Sequence, residues 1–252
     1  MIVKKSPAEI DKMAAAGAIL VDTLKLMEES VAEGVTTAEL DAKAEEFIRS
    51  RGGVPAFKGY RGFPGSICAS PNDMVVHGIP GRFKLSRGDV LSVDIGVVKD
   101  GWVADAARTF PVGEVGAIAS KLLEVTEGSL FAAVEQCVVG NRLGDVSNAV
   151  QTHVEAQGLS IVKSLVGHGI GRNMHEEPQV PNFGPAGKGT PLEEGMVLAV
   201  EPMVNAGHHM VRMGDDGWAI YSQDGSLAAH FEFTIAVTAD GPRILTPWHE
   251  DE

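Results

Sequence analysis

Apolar and polar residues follow two rhythms along this chain, and the rhythms come in blocks. From Ser6 to about Glu33 the apolar positions recur at helical spacing behind the capping-box pattern SPAE (Ser6–Glu9), with Pro7 at the first helical position. Gly34 closes the run. A second capping box, Thr36–Glu39, opens a helix through LDAKAEEFIRSR that stops at Gly52 and Gly53. The rhythm then changes to that of strands. SICAS, DVLSVDIGVVKDGW and DAARTFPV are rich in β-branched residues and are parted by Gly, Asn and Asp, with Lys99–Gly101 reading as a hairpin turn.

The same order then recurs: a helix from about Ala119 to Val139 ended by Gly140, a shorter helix from about Asp145 to Gln157 ended by Gly158, and further strands. The repetition reaches single residues. LSRGDVLSVD (Leu85–Asp94) aligns with LEEGMVLAVE (Leu192–Glu201), and Gly34 and Gly52 correspond to Gly140 and Gly158 at nearly the same offset. HGIP at His77–Pro80 echoes HEEP at His175–Pro178, although the gap to the aligned acid is nine residues longer in the second copy. The common order of these matches predicts one domain, 1–252, built by internal duplication with halves of about 1–115 and 116–252.

Composition narrows the possibilities. With 252 residues and 44% apolar residues, the chain can bury a sizeable core. A formal net charge of −13 argues against broad nucleic-acid or anionic-membrane binding, but leaves room for a local patch. One such patch runs from Arg49 to Arg87, where Arg49, Arg51, Lys58, Arg61, Arg82, Lys84 and Arg87 face the single acid Asp73. Two cysteines, Cys68 and Cys137, do not make a disulfide framework and fit a reducing compartment. No secretory signal or membrane span is read, so the expected location is the cytosol, and TPWHEDE from Thr246 onward reads as a solvated tail.

The stretch GHGIGRNMHEEP (Gly167–Pro178) sets His168 and His175 among glycines, which suits a loop or strand end that approaches a ligand closely. For either histidine alone, a surface or hydrogen-bonded role is the simpler reading. The aligned acids add weight, because a strand otherwise built of VLSV or VLAV rarely turns a carboxylate inward. Asp94 and Glu201 meeting face to face would repel unless a cation sat between them. Asp105 in VADAART and Glu232 in HFEFTIAV extend the set to four carboxylates, and His168 supplies an imidazole. That inventory is enough for two divalent ions, and the imidazole favours Mn, Fe, Co or Zn over Mg or Ca.

The motifs SVDIG, ADAARTF, GHGIGRNMHEEP, VLAVEP and FEFT closely resemble those of the type I methionine aminopeptidases, over nearly the whole chain. The resemblance implies an α+β "pita-bread" fold: two pseudo-symmetric halves with a curved antiparallel sheet covered by helices. It implies that Asp94 chelates one metal, that His168 and Glu201 hold the other, and that Asp105 and Glu232 bridge. A water between the metals would be the nucleophile and Glu201 its proton acceptor. His175 would bind the substrate carbonyl and the developing oxyanion, and His77 would lie near the amide nitrogen of the scissile bond. A methionine side chain calls for an apolar, aromatic, sulfur-bearing pocket. Tyr60, Cys68 and Trp218 fall on family pocket positions. Phe57 and Phe63 stand where some members carry Cys and Tyr, which alters the pocket's detailed shape.

The implied task is removal of the initiator methionine from nascent polypeptides with a small second residue. The basic segment 49–87 would face the ribosome, and the chain, with no extension before its first helix, would act as a minimal, bacterial-type monomer. Four other readings are weighed beside it. Type II methionine aminopeptidases carry a helical insertion in the second half for which the His175 to Glu201 interval leaves no room. Proline-specific aminopeptidases share the fold but usually carry an additional N-terminal domain. An inactive binding module would have lost the five ligands. A thiol enzyme built on Cys68 and His77 lacks a helix N-terminus to lower the thiol pKa.

Overall fold

The computed structural model describes residues 1–250. The first half of the chain forms α1 (Pro7–Ser30), α2 (Thr37–Ser50), β1 (Val54–Pro55), β2 (Cys68–Pro71), β3 (Met74–Val76), β4 (Val90–Lys99) and β5 (Trp102–Pro111). Two helices again precede strands in the second half: α3 (Ala117–Val134), α4 (Leu143–Ala156), β6 (Ser160–Ile161), β7 (Gly167–Gly169), β8 (Glu176–Val180) and β9 (Val197–Val200). Six short strands complete it: β10 (Met203–Asn205), β11 (Val211–Met213), β12 (Ile220–Ser222), β13 (Ala228–His230), β14 (Phe233–Thr238) and β15 (Gly241–Ile244). The architecture is α+β, with every strand pair antiparallel.

The caps read in the sequence hold the helix starts. The Glu9 carboxylate accepts from the N–H and hydroxyl of Ser6, and Thr36 and Glu39 bond reciprocally. In the second half Asp145 accepts from the N–H of Arg142 at the head of α4. The hairpin turn between Lys99 and Trp102 places Asp100 and Gly101 at φ 51° and 76°, the two positive values that match the strand twist.

The two halves use matching hydrogen bonds at matching positions. Gly34 N–H donates to the Leu85 carbonyl, and Gly140 N–H to the Leu192 carbonyl. Leu85 N–H returns to Val35, and Leu192 N–H to Asn141; the bridges Thr36↔Lys84 and Arg142↔Pro191 follow. Each half thereby ties the start of its second helix to the segment that leads into its central strand, β4 or β9.

β4 is the spine of one sheet, ordered β1-β4-β2 with β5 on β4, while the other large sheet runs β15-β14-β9-β7-β8. One continuous core joins α1 and α2 to β4 and β5, and α3 and α4 to β9 and β14. At the centre the backbones of the halves meet: Glu232 N–H donates to the Ala107 carbonyl, and the Thr234 hydroxyl accepts from Asp105 N–H and donates to its carbonyl.

Two expectations need correction. The helix foreseen to Val139 ends at Val134, because Asn141 Nδ2 takes the Gln136 carbonyl and the following chain is bonded to the 188–192 loop. The start of the expected tail is not solvated, although Glu250 is exposed. Thr246 and Trp248 are buried, the Trp248 indole packs at a tilt on Phe233 with the ring centres 4.7 Å apart, and its Nε1–H donates to the Glu232 carbonyl. Asp251 and Glu252, the rest of that stretch, lie outside the described residues.

Candidate metal centre and substrate cleft

Strand register brings the acids together. Asp94 on β4 is the cross-strand partner of Ala107 on β5, and Asp105 lies two residues from Ala107, so both carboxylates share a face and a diagonal. The second half repeats the device. His168 on β7 pairs with Ala199 on β9, and Glu201 follows two residues later on the same face. Thr234 also pairs with Ala199, so Glu232, two residues before it, joins that face as well. The residues at the junction thus converge on one cavity of about 170 Å³, lined at its base by Asp94, Asp105, His168, Glu201 and Glu232.

These groups are costly to bury together. Burial first, and then mutual repulsion, pushes Asp105 and Glu232 well above the usual carboxylate range, and burial lifts Asp94 and Glu201 to about 7. One oxygen each of Asp94, Asp105 and Glu232 is buried without any hydrogen-bond partner. Donor atoms of Asp105, His168 and Glu232 lie within 4.8 Å of one another. His168 faces Asp105 at 3.8 Å and Glu201 at 3.6 Å through Nε2, while its Nδ1 meets the Gly169 carbonyl at 2.9 Å. With the proton on Nδ1, Nε2 turns a lone pair toward the acids, as an imidazole ligand requires. Oxygen and imidazole donors with unpaired buried lone pairs fit a divalent cation.

Above the base, two further histidines line the cavity. The Tyr60 hydroxyl and His175 Nδ1 lie within hydrogen-bond distance at 2.9 Å; the imidazole stacks on the Tyr60 ring at 5.5 Å and lies 4.3 Å from the His168 ring. The Tyr60 contact is made at Nδ1 and leaves the His175 Nε2 for a ligand. His77 holds a left-handed backbone, φ 61°, uncommon for a residue other than glycine and a mark of a position fixed by its surroundings. Burial holds it neutral, with its pKa lowered to about 4.

The apolar wall is built from Phe57, Phe63, Cys68 and Trp218, with Tyr60 at its side. Phe63 meets Trp218 edge to face at 5.2 Å and Phe57 at 6.5 Å. Cys68 stands directly across the ladder from Asp94, and burial, then that carboxylate, drives its thiol pKa well above normal. A protonated thiol does not serve as a nucleophile.

All the residues singled out in the sequence therefore line one cavity. Arg61 lines it too, and the sequence reading had placed that residue only in a charged segment. Two buried neighbours were also missed. Thr234 joins the halves beneath Asp105, and His230 lies 3.4 Å from Glu201. Both were detectable as two-residue neighbours of Glu232 in HFEFT, Thr234 after it and His230 before it.

The chain matches known proteins over nearly its full length. The sequence model of Metallopeptidase family M24 matches residues 11–239. A methionine aminopeptidase of Clostridium perfringens is 52% identical over 98% of this chain and 99% of its own. The crystal structure of methionine aminopeptidase from Rickettsia prowazekii superposes with a TM-score of 0.96 at 40% identity, covering 98% of this chain and 100% of that one. Prolidase from Pyrococcus furiosus shares the fold, with a TM-score of 0.80 at 22% identity, but 97% of this chain covers only 65% of the prolidase.

Proposed function

The chain belongs to Metallopeptidase family M24 and is a metal-dependent aminopeptidase that removes N-terminal methionine, and we propose that it does so with two divalent cations held by Asp94, Asp105, His168, Glu201 and Glu232. The observation that carries this reading is the set of buried carboxylate oxygens without partners around His168. Cations held there would polarise the scissile carbonyl and would bring the pKa of water toward neutrality. Cobalt, manganese, iron and zinc all suit the donor set.

The chain's own residues supply the rest. The wall of Phe57, Phe63, Cys68 and Trp218 takes the methionine thioether, and Tyr60 closes its side. The Glu201 carboxylate accepts the proton released as water attacks. His175, held in place by Tyr60, donates Nε2–H to the carbonyl oxygen as negative charge grows there. His77 stands by for the nitrogen of the bond being cut. Loss of the His175 donor is expected to lower kcat by about 10²–10³-fold, with KM changing less. Release of free amino acid from Met-Ala-Ser, with Ala-Pro-Ala as the contrast, checks both points. Alanine release without methionine release, or a His175→Ala enzyme within about threefold of wild type, would count against these assignments.

The natural substrate proposed is a nascent polypeptide with a small second residue, processed by a monomer in the cytosol. No helix is long and apolar enough to cross a membrane. The proposed ribosome-facing segment, 49–87, is partly neutralised: Arg49 and Lys58 both reach Glu45, and Arg87 pairs with Glu114. Arg82 and Lys84 have no ion pair among the described residues and are the candidates for phosphate contact. Co-sedimentation with ribosomes that weakens as salt rises is the expected outcome; absent or salt-indifferent binding would remove this part. The matched hydrogen bonds of the two halves support their origin in a duplication of about 1–115 and 116–252 within the single catalytic domain 1–252.

A further inference from the structure

His230 closes β13 two residues before Glu232 and is 2% exposed. Its Nε2 is buried without a hydrogen-bond partner, yet it lies 3.4 Å from Oε2 of Glu201. The other oxygen, Oε1, lies 3.6 Å from Nε2 of His168. Glu201 is thus bracketed by two imidazoles, one for each oxygen. The backbone of His230 is fixed from the other half of the chain: the Thr109 hydroxyl accepts from its N–H and donates to its carbonyl, and Ser92 meets that hydroxyl at 2.8 Å. With Glu201 ionised, as a cation ligand must be, a bare nitrogen lone pair facing its oxygen would repel it, so the proton then belongs on Nε2 of His230.

We propose that His230 is a positioning residue: its Nε2–H holds Oε2 of Glu201, so that Oε1, beside His168, is the oxygen offered to the cation. A carboxylate held at one oxygen cannot rotate freely, and partners of this kind orient a ligand before the cation arrives. Nothing in the strand rhythm requires a histidine here. A glutamine amide can make the same donation, whereas leucine fills the space without donating.

The proposal rests on the ligand reading above, and cobalt binding separates the two. Chelator-stripped wild type, His230→Gln and His230→Leu are titrated with Co²⁺ by calorimetry, and visible absorption follows the donor atoms. His230→Gln is expected to bind within about threefold of wild type with the same bands, and His230→Leu about 10–100-fold more weakly. Melting in chelator establishes that each variant folds. If His230→Leu does not, His230→Asn, whose amide is too short to reach Glu201, takes its place. Binding by the donor-less variant equal to wild type would overturn the proposal alone. So would a His230→Gln protein as weak as His230→Leu with shifted bands, since His230 would then be a ligand itself. A wild type that takes up no cobalt would overturn the ligand reading and this inference together.

Discussion

Asp105→Asn is expected to silence methionine release while making the metal-free protein harder to melt. The carboxylate reaches the cavity from the middle of β5, at the point where Thr234 locks the halves together, and it is one of the proposed cation ligands. Without its charge, activity should fall by at least about 10³-fold. The stability effect has the opposite sign. Asp105 is 5% exposed, leaves one oxygen unpartnered, and shares its surroundings with Asp94 and Glu201. Its folded pKa lies above its unfolded one. The metal-free wild type therefore loses stability as pH rises from the unfolded carboxylate value, about 3.9, through the raised folded value. An asparagine of the same shape has no proton to lose. The gain in melting temperature should be small at pH 5 and larger at pH 8, read by calorimetry in excess chelator. A stripped variant that melts below stripped wild type at pH 8 would contradict this account of the cleft.

Chelation of the wild-type protein should abolish activity, and the melting temperatures of loaded and stripped protein should diverge with pH. Asp94 and Glu201 both titrate near 7 in the folded chain because burial opposes their charge. Below that range the stripped cleft holds protons and is relieved of repulsion; above it the acids ionise against each other. Cations need those acids deprotonated, so binding strengthens over the same interval. The divergence between pH 5 and pH 8 should reach several kcal/mol in stability, and added Mn²⁺ or Co²⁺ should restore both melting temperature and methionine release. A difference that stays flat with pH, or turnover that survives chelation, would sink the assignment.

Much of this site was legible because carboxylates stand out where a strand wants apolar residues. Asp94 after VLSV and Glu201 after VLAV break their own rhythm, and the break occurs twice at the same offset. The capping boxes were legible for a similar reason, since both partners lie within three residues. What escaped notice depends on partners far along the chain. Trp248 sits in a short charged segment whose composition suggests solvent, and the ring it covers, Phe233, belongs to a different strand. His230 gains meaning only from Glu201, brought close by the pairing of β10 with β13. The early end of α3 is set by Asn141 and by a loop some fifty residues on, neither of which alters the helical rhythm before it.

The seam at Thr234 and Asp105 has a consequence for the order in which the protein is made. Asp94 and Asp105 leave the ribosome long before His168, Glu201 and Glu232, and the indole that caps the Glu232 carbonyl comes later still. A chain interrupted before residue 232 holds only part of the proposed donor set and lacks the hydroxyl that fastens the two halves. On the proposed ligand set, catalytic competence therefore arrives late in translation, only once the second half has been made.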